Sequence, residues 1–84
     1  MIRYTVVWHD EAQNQLAEIW INASDREAVR LSVNAIDRHL ANDAESKGTK
    51  IEGDLRQLVV PPLRLLFSVS EPDRLARILD VAVS

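Results

Sequence analysis

Apolar and polar side chains alternate over residues 2–8. Tyr4, Val6 and Trp8 fall on one face, and Arg3, Thr5 and Val7 on the other. A period of two in β-branched and aromatic residues predicts a strand with one buried face. The period changes at His9-Asp10, where Asp10 is the predicted helix cap and Gln13 its capping-box partner. Ala12, Leu16, Ile19, Trp20 and Ala23 follow at helical spacing, which predicts a helix over about residues 11–23. Ser24-Asp25 interrupts it, and Ser24 with Glu27 forms a second capping box. Val29, Val33, Ile36 and Leu40 then make a stripe, widened by Ala28, Leu31 and Ala35, for a second helix over about residues 25–41. So short a break makes the two helices antiparallel neighbours.

Residues 42–54 hold both glycines and read as one long connection, of the kind that is functional or mobile. Three strand-like runs follow. Leu55–Val60 stops at Pro61-Pro62, a turn that ends strand pairing. Leu63–Ser70 puts Leu63, Leu65, Phe67 and Val69 on one face. Leu75–Val83 puts Leu75, Leu79, Val81 and Val83 on one face. A three-residue loop, Glu71-Pro72-Asp73, sets Leu65 against Leu79, Leu63 against Val81 and Arg64 against Asp80. A register longer by one residue would set Leu65 against Asp80, so the first is preferred. The order is β-α-α-β-β-β: an α+β fold with a helical hairpin packed on a small, mainly antiparallel sheet.

Composition narrows the function classes. The 84 residues suit one domain, 1–84, with an ordinary apolar share of 46%. Ten basic against thirteen acidic residues give a net charge of −3, which argues against nucleic-acid binding by bulk positive charge. There is no cysteine, so disulfides, zinc–thiolate sites and thiol nucleophiles are excluded. His9 and His39 lack the spacing of a metal site, and no cofactor motif stands out. Trp8 and Trp20 are assigned to the core, with Trp20 near a helix end as a second candidate for partner docking. No apolar run approaches a membrane span and no signal-peptide core opens the chain, so a soluble cytoplasmic protein is expected.

Residues spread over the whole chain resemble the RelE/ParE superfamily of bacterial type II toxins, the plasmid-stabilisation proteins. They are Tyr4-Thr5-Val6-Val7-Trp8 leading into Ala12, Leu16 and Ile19, the loop glycine Gly48, the stretch from Leu55-Arg56 through Pro61-Pro62 to Arg64-Leu65-Leu66-Phe67, and Ile78-Leu79-Asp80-Val81. The resemblance implies a toxin silenced by a cognate antitoxin. RelE-like members cut mRNA in the ribosomal A site, whereas ParE-like members share the fold and poison DNA gyrase.

The same resemblance marks Arg64 as the counterpart of a phosphate-binding arginine and Arg56 as the arginine that opens a strand. These are the two catalytic candidates, and arginine suits a crowded phosphate transition state. Lys47, Lys50, Arg56 and Arg64 make the wider candidate set for target or phosphate binding. Leu55, Gln57 and Val59 stand where RelE-like nucleases carry basic residues, Phe67 stands where many members carry tyrosine, and the closing strand runs Asp80-Val81-Ala82-Val83-Ser84 without the expected basic residue and tyrosine. The expectation is therefore a ParE-like toxin with a protein target such as gyrase. The alternatives are a ribosome-dependent mRNA endoribonuclease with an altered site and a non-toxic binding protein of the same fold. A homodimer stays open. The bland readings are an Arg64–Asp80 cross-strand ion pair, a local ion pair of Arg56 with Glu52 or Asp54, and a solvated loop for Lys47 and Lys50.

Overall fold

The computed structural model describes residues 3–84; Ile2, the predicted start of the first strand, lies outside the described residues. The elements are β1 (Thr5–Trp8), α1 (Asp10–Asn22), α2 (Arg26–Ala41), a 3₁₀ turn (Ala44–Ser46), β2 (Thr49–Glu52), β3 (Leu55–Val60), β4 (Leu63–Ser70) and β5 (Leu75–Val83). They form one sheet in the order β1-β5-β4-β3-β2. β1 runs parallel to β5, and every other pairing is antiparallel. The α+β class and the helical hairpin match the sequence reading, but the sheet has a fourth C-terminal strand.

That strand is β2, inside the predicted long connection. Its signal is Gly53-Asp54, a two-residue hairpin dipeptide between Ile51-Glu52 and Leu55. Gly53 takes the left-handed conformation, φ 57°, that such a turn requires. β2 escaped notice because all four of its residues are exposed, so it shows no buried-face alternation.

The helices start one residue from their predicted positions, and different residues cap them. His9, not Asp10, is the N-cap of α1, and it makes no side-chain cap bond. Asp10 and Glu11 occupy the first turn instead, where their charge favours the helix dipole. The Gln13 amide donates to the Trp8 carbonyl, 3.1 Å. For α2 the cap is Asp25, not Ser24: its carboxylate accepts the Ala28 N–H at 3.1 Å, worth about 1 kcal/mol.

The core lies between helices and sheet. Ala12 from α1, Val29, Ile36 and Leu40 from α2, and Leu63, Leu65, Phe67, Ala76, Ile78 and Val81 from the sheet are buried. Ser32 is buried among them and donates to the Val60 carbonyl at 2.6 Å, which satisfies its hydroxyl. Leu31, placed in the stripe by spacing, is 54% exposed. Trp8 packs against the core, but Trp20 is 41% exposed and lies outside it. The Arg26 guanidinium sits over the Trp20 ring, 5.8 Å from its centre.

The predicted β4–β5 register fails in two places. Ser70 pairs with Leu75, so the loop has four residues, 71–74, and ends on Arg74 in the left-handed conformation, φ 51°. A bulge then leaves Leu79 between Ile78 and Asp80, so Leu65 meets Val81 and Arg64 meets Ala82. The bulge shifts the inward phase of β5. Ala76 and Ile78 are buried before it and Val81 after it, whereas Leu75 and Leu79 are half-buried and Val83 is exposed. A sequence pattern without a breaker residue gives no sign of such an extra residue.

Candidate functional site

The helices cover one face of the sheet, and alternation fixes the other. Leu63, Leu65 and Phe67 point into the core, so Arg64, Leu66, Ser68 and Ser70 of β4 face outward. Register carries that outer face sideways. Val59 lies opposite Arg64, Gln57 opposite Leu66, Ala82 opposite Arg64, and Arg77 opposite Ser68 and Val7. The result is a mixed surface of Val7, Val59, Leu66 and Ala82 with Gln57, Ser68 and Ser70, and it carries two cations, Arg64 and Arg77, four residues apart in register, about 13 Å along the strands.

Neither arginine has an ion-pair or hydrogen-bond partner among the described residues. The cross-strand pair with Asp80 does not form. Gln15 of α1 takes Asp80 instead: its amide nitrogen donates to the carboxylate at 2.6 Å, and its amide oxygen accepts the Val81 N–H at 2.8 Å. One side chain thus stands in for a neighbouring strand on the part of β5 that β1 does not reach.

The other candidates lie elsewhere. Arg56 pairs with Phe67 and shares the inward phase of Leu58 and Val60, so it is on the opposite face from Arg64. Its side chain is occupied, and not by the acids of its own loop. Nε donates to the Lys47 carbonyl at 2.7 Å and Nη2 to the Gly48 carbonyl at 3.4 Å. Lys50 is the cross-strand neighbour of Arg56. Lys47, Lys50 and Arg56 therefore gather at the β2 end, and the sheet separates them from Arg64. Sequence reasoning missed Arg77; the alternation of β5 before the bulge was the signal that could have placed it beside Ser68.

This outer face can bind anions or an acidic surface, but over β3, β4 and β5 it holds little for proton transfer. Neither histidine lies on a strand. Asp80 is the only carboxylate on β3, β4 or β5, and Gln15 engages it. No group of residues suited to a metal ion occurs among the described residues, and no helix there is long and apolar enough to cross a membrane.

No family model matches the sequence, and no curated protein sequence matches it. Solved structures do. The RelBE2 toxin–antitoxin complex from Mycobacterium tuberculosis matches over 100% of this chain and 94% of its own, at 17% identity and a TM-score of 0.81. The chromosomal ParDE toxin–antitoxin system from P. aeruginosa matches over 99% and 98%, at 16% identity and a TM-score of 0.72. TrmO from Pseudomonas aeruginosa matches over 98% of this chain but 36% of its own, at 26% identity and a TM-score of 0.64. The chain therefore has the fold of the RelE/ParE superfamily, as its order of elements predicts. It is similar to chains of both RelE-type and ParE-type systems, and the fold alone does not divide them.

Proposed function

We propose that this chain is the toxin half of a toxin–antitoxin pair, silenced by a cognate antitoxin, and that it acts in the ParE-like manner by binding a protein target such as DNA gyrase. The likeness to chains of RelBE2 and ParDE supports the toxin reading. One observation favours protein binding over RNA cleavage. On β3, β4 and β5 the outer sheet face presents Arg64 and Arg77 beside Val59, Leu66 and Ser68 and offers no free acid or base, while Arg56 is on the other face. A ribonuclease must deprotonate a 2′-hydroxyl and protonate a leaving oxygen, and two arginines on opposite faces do not converge on one phosphate.

Inducible expression tests this. The expected result is growth arrest, inhibited gyrase supercoiling in vitro and no new mRNA 5′ ends. Arg64→Ala should keep its fold and lose toxicity. Unimpaired growth with folded protein present would reject the toxin reading, and fresh mRNA cleavage at codons would replace gyrase with the ribosome. A second reading, a non-toxic binding module, draws on the match to about a third of the TrmO chain, in which the same fold forms part of a longer protein.

A further inference from the structure

β5 is longer than the strand beside it. β1 pairs with residues 75–78 and stops, while β5 runs on to Val83. Its other neighbour fixes which way the backbone of that free half points. The Ser84 N–H donates to the Pro62 carbonyl, just before β4, at 2.9 Å, so by alternation the backbone of Ala82 and Asp80 also faces β4. The backbone of Val81 and Val83 therefore faces the side that β1 does not reach. Gln15 takes the Val81 N–H there, as the carbonyl of an added strand would. The Val81 carbonyl, the Val83 N–H and the Val83 carbonyl have no partner among the described residues.

A groove of about 730 Å³ lies along this edge, between the end of β5, Pro62 and the turn that joins α1 to α2. Ile19, Ala23, Ala28, Pro62, Val81 and Val83 give it an apolar lining, and Val83 is 60% exposed. The charged side chains of the lining are Glu18 and Asp25, with no cation among them. The Glu18 carboxylate has no partner among the described residues, and the Asp25 carboxylate accepts the Ala28 N–H through Oδ1. Arg26, the next residue in the chain, is turned away from Asp25: its guanidinium donates to the Trp20 and Ile21 carbonyls. Two carboxylates thus stand over an apolar groove without a neutralising partner.

We infer that the free half of β5 receives a short extended segment of a partner protein, with alternate apolar side chains in the groove and basic side chains facing Glu18 and Asp25. Open backbone groups select an extended chain, the apolar lining selects hydrophobics at every second position, and the two carboxylates select a basic segment over an acidic one. A second copy of this chain fits poorly: β2, its exposed strand with a lysine, also carries Glu52 and is bulged. The inference goes beyond the toxin reading and does not rest on it.

The test titrates the peptide acetyl-Lys-Val-Thr-Val-Lys-amide into the isotope-labelled full chain. Amide exchange should slow at least tenfold at Val83, with shifted resonances at Ala23 and Ala28. Glu18→Lys, on the exposed rim, should weaken binding at least tenfold, and Val83→Lys should do the same. Should either variant misfold, the peptide with glutamate in both lysine positions decides on the wild-type chain, where it should bind at least tenfold more weakly. Unchanged exchange at Val83 in millimolar peptide overturns the inference, as does equal affinity for the acidic peptide. So does protection at Val6 and Trp8 in place of Val83, which would put the segment on β1, or a peptide-free homodimer in which Val83 is already protected.

Discussion

The two edges of this sheet are treated in opposite ways. β2 carries Lys50 and Glu52, all four of its residues are exposed, and a bulge interrupts its pairing with β3 between them. Charge and irregularity of this kind discourage another strand from adding. β1 carries no charge and no bulge, yet it is held firmly. Trp8 packs on the core and its Nε1 donates to Asp37 at 3.1 Å. Just before the strand, the buried Tyr4 hydroxyl meets Glu45 of the 3₁₀ turn and Glu71 of the β4–β5 loop, and the Arg74 guanidinium lies 5.9 Å from its ring centre. An edge that is open but rigid is suited to binding, because little entropy remains to be lost when a partner docks. An edge that is blunted serves solubility.

The largest test of this contrast compares apolar truncations on the two edges. Trp8→Ala should cost about 3 kcal/mol, since it removes a large side chain packed on the core. Ile51→Ala should cost less than about 0.5 kcal/mol, because Ile51 is 51% exposed. Urea unfolding midpoints decide, and equal costs would erase the distinction.

The next test concerns what holds β2 in place. A β-carbon at Gly48 would lie 2.1 Å from the Gln57 carbonyl oxygen, and its φ is +67°. At Gly53 the φ is +57° but the space around it is open. Gly53→Ala should therefore cost about 1 kcal/mol from backbone strain alone. Gly48→Ala should cost clearly more, since the β3 backbone has to move. If the two cost the same, Gly48 does not clamp the hairpin.

The smallest effect is at Tyr4. Burial, then the bonds to Glu45 and Glu71, push its hydroxyl well above the usual tyrosine range, and the bond from Tyr4 holds the Glu45 carboxyl below the usual carboxylate range. A raised tyrosine stabilises the fold below its unfolded value of about 10 and loses that contribution as pH rises past its folded value. A depressed carboxylate stabilises above its unfolded value of about 4.3 and loses that contribution as pH falls. Tyr4→Phe should cost about 1 kcal/mol at neutral pH. The gap from wild type should narrow between pH 7 and pH 3; a gap constant with pH would mean that Tyr4 acts through packing alone.

Much of the architecture was legible in the residues. The helical stripe of Val29, Ile36 and Leu40, the alternation of Leu63, Leu65 and Phe67, and the Pro61-Pro62 turn each follow one local rule, and each stands where predicted. The site was less legible. Arg64 was placed on its face by alternation alone, but its pairing with Asp80 depended on a loop length and a bulge that no local residue announces. Arg56 resembled a site residue by position, yet cross-strand parity turned it inward to the Lys47 and Gly48 carbonyls.

The sequence by itself determined the two helices, β1 and β4 and the faces they bury, because periodicity and hydrophobic burial act over a few neighbouring residues. Only the tertiary structure decided which strand lies at each edge, which cations share a face, and that Gln15 substitutes for a missing strand. Those outcomes depend on register summed along whole strands, where one extra residue turns every later side chain to the other side.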